Sequence, residues 1–247
     1  MQRIGHLLPV PCLGAARWAA GICAPGSAET VHPTARAVLP EVLYGPAVAP
    51  PQARELLRAA EQLAQVGADA VVWGGSSADL HGAAHARAVA RWIEEAAGVP
   101  ASTVTLGQLG LLRRQGLGSL ALVTAGSAGV AGRLADTYVA EGLKVASVTA
   151  LGLPTAREAA EVPVARLRRL LLEADVPDAE CLVVAGTELP VAPVAALLER
   201  ELGKPVYDGA RVAVRTGLDL VGLAVDAPSW GSLFTAGGHT GVCCDSH

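Results

Sequence analysis

The sequence predicts an α/β protein of two pseudo-symmetric lobes, each a parallel four-stranded sheet flanked by helices, with a cleft between them. Three observations carry this prediction. Strand-length apolar runs alternate with longer segments in which apolar residues recur every three or four positions. The connections between these segments are short and rich in glycine, of which the 247 residues include 28. Two of the strand–helix units, near residues 75 and 186, also resemble each other.

Each element follows from its own run of residues. Apolar runs bounded by turn residues predict strands at 3–10, 38–43, 70–73, 102–105, 119–124, 144–150, 181–185 and 205–207. Helical periodicity predicts helices at 51–66, 83–97, 106–115, 129–141, 163–174 and 193–202. Because strands alternate with helices, we expect parallel sheets that are covered on both faces.

An internal repeat predicts the two lobes. The segments ADAVVWGGSSADLHG and AECLVVAGTELPVAP each run from an acidic residue through an apolar strand to a glycine, a hydroxyl residue and a helix. The strands RIGHLLPVP and SLALVTAGS each open a half of roughly 115 residues. We therefore expect a first lobe of 1–116 plus 206–235, a second lobe of 117–205 and a flexible tail of 236–247. The alternative is that any two strand–helix units look alike.

Composition excludes several classes of protein. An apolar content of 51% with a net charge of -4 argues against a disordered chain. The 19 basic residues are outnumbered by 23 acidic ones and only 3% of residues are aromatic, which argues against a nucleic-acid partner. The apolar runs are too short to span a membrane, and Pro9 and Pro11 interrupt the one run that resembles a secretory signal. Five cysteines without a CxxC pair favour the cytoplasm, and a homo-oligomer is compatible with the sequence.

Two strand ends carry the residues expected to bind an anion. Gly75, Ser76 and Ser77 stand where one strand ends and a helix begins, and Gly186 and Thr187 stand at the matching place in the other half. Free backbone N–H groups and hydroxyls at such a place hold a carboxylate and stabilise an enediolate formed beside it. The alternative is that the hydroxyl residues are ordinary helix N-caps.

The same segments carry a family resemblance. RIGHLLPVP, GADAVVWGGSS, SLALVTAGSAGVAGRLADTYVAEGLKVASVTALGL and ECLVVAGTELPVAPVAALLERELGKPVYDGARVA span nearly the whole chain. Together they resemble the aspartate/glutamate racemase superfamily, and most closely its arylmalonate decarboxylase and maleate isomerase branch. The resemblance implies two pseudo-symmetric lobes, no cofactor, a small-molecule carboxylate substrate and proton chemistry beside that carboxylate.

The chain departs from the family's pattern at three glycines. Racemases and maleate isomerases carry a Cys after each of the two key strands, and arylmalonate decarboxylases keep only the second. Here both places are glycine, at Gly75 and Gly186. The decarboxylases also have a Tyr where this chain has Gly126. Because two-base racemisation needs an acid–base group on each face of the carbon, the family's thiol mechanism is not available.

Three residues are candidates to replace what is missing, and a fourth is a candidate for the wall of the pocket. Glu188 is the first choice for a general acid/base, because an apolar cleft raises the pKa of a carboxyl group. Its alternative is an exposed residue in the first turn of a helix. Cys12 is a second candidate thiol or a small buried apolar residue, and Tyr207 would restore the phenol. Trp73 would line the pocket or pack in the core.

These residues lead to a functional hypothesis with one rival. We expect a cofactor-independent isomerase, decarboxylase or related lyase that acts on a carboxylate or an enolisable carbonyl compound. Glycines in place of Cys and Tyr should leave the cleft emptier, for a larger substrate such as an intermediate of specialised metabolism. The rival is a catalytically silent homologue that binds a carboxylate or a partner protein. No metal is predicted, because the His- and Cys-containing tail has poor spacing for zinc.

Overall fold

The computed structural model describes residues 1–9, 30–37, 53–75 and 80–235. A first sheet contains β1 (Gln2–Pro9), β2 (Thr30–Val31), β3 (Thr34–Ala37), β4 (Ala70–Trp73) and β5 (Ala101–Thr103). A second sheet contains β6 (Ser119–Thr124), β7 (Lys144–Ala150), β8 (Cys181–Ala185) and β9 (Val206–Asp208). The helices are α1 (Arg54–Gln65), α2 (Gly82–Ala97), α3 (Val104–Arg114), α4 (Ala128–Ala140), α5 (Ala156–Ala160), α6 (Val164–Ala174), α7 (Ala195–Leu202) and α8 (Gly209–Leu220).

The two sheets share one topology, and every strand pair in them is parallel. In the first sheet β2 and β3 pair with successive parts of β1, so that together they fill one strand position. From one edge of each sheet to the other, the strands follow in the order second, first, third and fourth along the chain. Strands β1 and β6, which open the two halves, are the first, and β4 and β8 are the third. The α/β fold of two lobes is confirmed.

Three apolar clusters surround the sheets. The outer face of the first sheet packs against α1 and α2, and the outer face of the second sheet packs against α6 and α7. The third cluster lies between the lobes and draws residues from both sheets, from α3 and from α8. Strands β4 and β8 are buried along their whole length, as expected of parallel strands covered on both faces.

Several predicted elements have the predicted bounds, and others differ for identifiable reasons. The strands 70–73, 119–124, 144–150 and 181–185 are found as predicted, whereas the predicted strand 38–43 lies outside the described residues. The predicted strand 102–105 ends early, because the Thr103 hydroxyl accepts a hydrogen bond of 3.2 Å from the Leu106 N–H and thereby starts α3 at Val104.

Helix α8 follows the last strand of the second sheet, and its polar residues Arg211, Arg215 and Asp219 recur every four residues along one face. Its residues from Gly209 to Leu218 are all buried, including the two arginines, which pair with Asp208 and Asp219. The preceding strand β9 pairs with β8 in the second sheet, whereas α8 packs on the first sheet and on α3. The chain therefore leaves the second sheet after Asp208, three residues beyond the predicted boundary at 205. The rest of the predicted domain division remains a prediction.

Glycines allow α8 to approach its neighbours closely. A Cβ atom on Gly217 would lie 2.3 Å from Ile4 Cγ2 of β1, and a Cβ atom on Gly107 of α3 would lie 2.1 Å from Thr216 Oγ1 of α8. Part of the high glycine content thus serves the packing of α8 against the first sheet and α3 rather than turns. Within the described ranges, no helix is long and apolar enough to cross a membrane.

Candidate functional site

The loops that follow β4 and β8 meet at the contact between the lobes. The Thr187 hydroxyl, in the loop after β8, donates a hydrogen bond of 2.9 Å to the backbone carbonyl of Gly74, in the loop after β4. Both residues are buried. The sequence prediction that these two strand ends face each other is therefore in accord with the structure. Because the Thr187 proton is used in this contact, its hydroxyl is not a donor for a ligand here.

Glu188 fills the space beside Gly186. Gly186 has a φ of +81°, and a Cβ atom on it would lie 2.1 Å from Glu188 Oε2 and 3.0 Å from Glu188 Cδ. The Glu188 side chain turns back along the loop, and the residue is only 9% exposed. The carboxylate therefore lies where the side chain of residue 186 would begin.

The indole of Trp73 fills the matching space beside Gly75. A Cβ atom on Gly75 would lie 2.1 Å from Trp73 Cζ2, 2.5 Å from Cε2 and 2.9 Å from Nε1. Trp73 is 1% exposed and packs in the cluster between the first sheet and helices α1 and α2. These contacts are those of a core residue, and a role in the wall of the pocket remains a prediction.

Val130 fills the space beside Gly126. A Cβ atom on Gly126 would lie 2.8 Å from Val130 Cγ1 and 3.1 Å from Val130 Cβ in the first turn of α4. The Gly126 N–H donates to the Thr124 hydroxyl at 3.2 Å, and the Gly126 carbonyl accepts from the Gly152 N–H at 3.0 Å. The turn is therefore held by its own backbone and by a strand-end hydroxyl.

The expectation of an emptier cleft is wrong at all three glycines. Each position is occupied by a neighbouring side chain, which is an indole, an isopropyl group or a carboxylate. Open space lies instead beside the neighbouring strand β6. It is a cavity of about 520 Å³ lined by Ser127, Val130, Arg133, Gly152 and Leu153. It is bounded by the loops after β6 and β7, at the carboxyl edge of the second sheet.

Comparison with known proteins identifies the family. A family model described as arylmalonate decarboxylase matches residues 53–234. The chain belongs to the arylmalonate decarboxylase family. The solved structure of unliganded arylmalonate decarboxylase is 26% identical, with a TM-score of 0.78 over 95% of this chain and 99% of that one. No curated protein matches the chain.

Two further structures place the family within the predicted branch. A liganded double mutant of arylmalonate decarboxylase, with one Gly changed to Cys and one Cys to Ser, is 25% identical, with a TM-score of 0.79 over 95% and 99% of the two chains. Maleate isomerase from Pseudomonas putida S16, in complex with maleate, has a TM-score of 0.84 at 17% identity over 95% and 97%. At that identity the isomerase shows the fold alone.

Several predicted site residues of this family member lie elsewhere or outside the described ranges. Cys12, Ser76 and Ser77 belong to the residues that the structure does not describe, and their roles remain predictions. Tyr207 lines a separate cavity of about 160 Å³ with Gln115 and other residues, rather than the contact between the strand ends. Burial, followed by the nearby Cys181 thiol, raises the Tyr207 pKa above its usual range, so the phenol stays neutral.

The residue after Tyr207 has a structural role. Asp208 caps α8 by accepting a 3.1 Å hydrogen bond from the Arg211 N–H, and it also forms an ion pair with the Arg211 guanidinium. Arg211 is fully buried and donates to the carbonyl groups of Val206 and Trp230. This ion pair joins β9, α8 and the segment around Trp230.

Sequence reasoning missed two residues that fix the site. Gln108 of α3 is fully buried and donates to the carbonyls of Val184 and Tyr207 at 3.2 Å each, while its amide oxygen accepts from the Tyr138 hydroxyl at 2.7 Å. Gly209 lies so close to the second strand end that a Cβ atom on it would be 2.1 Å from the Gly186 carbonyl oxygen. The available signals were a glutamine on an apolar helix face and an Asp-Gly pair between a strand and a helix.

The described residues offer no metal centre. No group of three or more His, Cys, Asp or Glu side chains that could hold a metal ion occurs in the part of the chain that the structure describes. Cys181, the cysteine within those ranges, is buried at the start of β8. Burial raises the pKa of its thiol to about 12, which makes it a poor nucleophile.

Proposed function

We propose that this chain is a cofactor-independent decarboxylase or isomerase that uses the Glu188 carboxyl group in place of the family's cysteine thiol. The observation that carries the proposal is the placement of that carboxylate in the space beside Gly186. By the family resemblance, the side chain at this position is the one that moves the proton. A carboxyl group can take the same part, as either a general base or a general acid.

The surroundings of Glu188 suit proton transfer. The residue is 9% exposed, and the side chains of Leu189 and Val191 further along the loop are also buried. A carboxyl group withdrawn from water holds its proton more readily than an exposed one. Thr187, the residue before Glu188, donates a hydrogen bond to the Gly74 carbonyl in the other lobe, which supports a role for this loop at the boundary of both lobes.

The proposed reaction follows from these groups. With a malonate-type substrate, the bond between the α-carbon and one carboxylate breaks, and its electron pair passes into an enediolate while carbon dioxide leaves. The Glu188 carboxylic acid then gives its proton to the α-carbon, and water restores that proton. With an enolisable acid, the Glu188 carboxylate removes the α-proton and returns it. Gly75, Ser76, Ser77 and the backbone at Thr187 would hold the carboxylate.

The group attached to the α-carbon would extend towards the cavity next to Gly126. That cavity is lined by the apolar side chains of Val130 and Leu153 together with Arg133. An aryl or alkyl group is therefore a better fit than a second small carboxylate alone. We propose an arylmalonate or a similarly substituted carboxylate as the substrate class.

Turnover in deuterated water tests the proposal. The protein is incubated with malonate, phenylmalonate and maleate, and release of carbon dioxide, isomerisation and deuterium at the α-carbon are followed by NMR. We expect turnover or exchange with at least the substituted malonate. The absence of both with every acid would overturn the proposal.

The rival proposal is a silent carboxylate-binding homologue. The observation in its favour is that Trp73 and Val130 leave no room for the missing Cys and Tyr at Gly75 and Gly126. It predicts that phenylmalonate raises the melting temperature while no acid is turned over. The same incubations therefore separate the two proposals.

A further inference from the structure

Among the residues that the structure describes, the buried indole N–H of Trp73 has no hydrogen-bond partner. The side chain is 1% exposed. A buried N–H group left unpaired is costly, and buried tryptophans usually pair theirs. An acceptor on a bound molecule would satisfy this donor.

The donor lies at the strand end already described. Nε1 is 2.9 Å from the point at which a Cβ atom on Gly75 would lie, so any larger residue at 75 would displace the indole. The adjacent residue, Gly74, is the acceptor of the Thr187 hydroxyl from the other lobe. The unpaired donor thus stands close to the contact that joins the two loops.

The matching position in the other lobe holds a group of opposite character. Beside Gly186 lies the Glu188 carboxylate, which accepts hydrogen bonds and exchanges protons, whereas beside Gly75 lies an indole, which can only donate. An indole cannot move protons at neutral pH, so it cannot replace a catalytic thiol. It can, however, stabilise negative charge on an oxygen atom.

From this we infer that Trp73 Nε1–H donates a hydrogen bond to a carboxylate or enediolate oxygen of the bound substrate. The inference rests on the proposed function, since it assumes an anionic acid at this strand end. Because Trp73 is 1% exposed, this hydrogen bond requires the loop at Gly75, which lies against the indole, to move aside when the acid binds. Trp73 is then a substrate-binding residue, and Glu188 alone moves protons.

Indole NMR tests this directly. In protein labelled with ¹⁵N at tryptophan, the Nε1–H resonance that is absent from Trp73→Phe belongs to Trp73. We expect this resonance to move downfield when phenylmalonate is added to saturation, while that of Trp92, which packs against His85 in α2, stays in place. No movement with phenylmalonate, malonate or maleate would overturn the inference.

Binding to the variants supplies the second measurement. Trp73→Phe keeps the ring but removes the donor, and we expect phenylmalonate to bind at least about tenfold more weakly, as for a lost hydrogen bond to a charged group. Trp92→Phe should leave the dissociation constant unchanged. Equal affinity of wild type and Trp73→Phe would contradict the inference. Because both readouts are equilibrium binding, a shifted resonance without turnover would overturn the proposed function alone.

Discussion

The strand ends after β4 and β8 occupy equivalent places in the two sheets, yet they differ in what fills the space beside their glycines. At Gly75 the space holds an indole edge that belongs to the core of the first lobe. At Gly186 it holds a carboxylate that belongs to the loop itself. One position has therefore become part of the packing, whereas the other has kept a group that can exchange protons.

The backbone differs in the same way. Gly186 has a φ of +81°, a conformation that side chains rarely adopt, whereas Gly75 is not among the glycines with positive φ. Gly186 is also pressed against Gly209 at the start of α8. The second strand end is consequently fixed by its backbone, and the first by the side chain of Trp73. Two equivalent loops of the same fold are thus held in place by different means.

The largest expected effect on stability comes from a substitution at Gly209, which packs against the second strand end and not against the first. Gly209→Ala would place a methyl group 2.1 Å from the Gly186 carbonyl oxygen, a backbone atom that cannot turn aside. We expect the free energy of unfolding, measured with urea, to fall by about 3 kcal/mol. The matched control is Gly132→Ala in α4, where a Cβ atom meets nothing within 4 Å. The control should gain up to about 1 kcal/mol from helix propensity, and equal stabilities would contradict this account.

Restoring cysteine at each strand end should separate side-chain crowding from backbone strain. Gly75→Cys and Gly186→Cys should each cost about 1–3 kcal/mol of unfolding free energy. In a Trp73→Ala background the cost at position 75 should largely disappear. In a Glu188→Ala background the cost at 186 should fall but about 1–2 kcal/mol should remain, because the positive φ persists. If the cost in unfolding free energy disappeared completely at both positions in these double-mutant cycles, the two strand ends would not differ in backbone strain.

A smaller effect on stability should come from protonation of a buried histidine pair in the first lobe. His6 of β1 is buried and shares a 2.9 Å hydrogen bond with His32. Burial, and then the charge of His32, lowers the His6 pKa to about 3, and burial lowers that of His32 to about 4.

The sign of the pH effect follows from these shifts. In the unfolded chain both histidines titrate near their ordinary pKa of about 6.5, so below that pH the unfolded state binds more protons than the folded state. The contribution of His6 to stability is therefore complete above about pH 6.5 and is lost as the pH falls towards its folded pKa, by up to about 1.4 kcal/mol per pH unit. Urea titrations of wild type and His6→Gln at about pH 7 and pH 5 measure this slope. An unchanged slope in His6→Gln would rule out His6 as a source of it.

The fold was predictable because its signals are local. Strands β4 and β8 are uninterrupted apolar runs, β6 has an apolar centre, and β7 is rich in β-branched residues, and all four are bounded by turn residues. The sequence prediction omitted helix α8, although Arg211, Arg215 and Asp219 recur at helical spacing. The two arginines are buried in ion pairs, which the spacing alone does not show. The start of α3 was placed too late because a single cap, Thr103, decides it.

The site was predictable only in part, because contacts between distant residues determine it. The similarity of the two strand–helix units predicted that Gly75, Gly186 and Glu188 belong to one site. It could not show that Glu188 turns back over Gly186 or that Trp73 reaches Gly75, since both depend on side-chain direction. Tyr207 was assigned to the site by its place after a strand, but its side chain faces another cavity.

The central claim is that the carboxyl group of Glu188 replaces the missing thiol as the acid/base. It is tested most directly by the rate of α-carbon deuteration and carbon dioxide release from phenylmalonate in Glu188→Gln. The matched control is Glu173→Gln, an exposed residue of α6. We expect the rate of Glu188→Gln to fall by at least about 100-fold, as for loss of a general acid/base, while phenylmalonate still binds and Glu173→Gln keeps the wild-type rate. A wild-type rate in Glu188→Gln would contradict the claim.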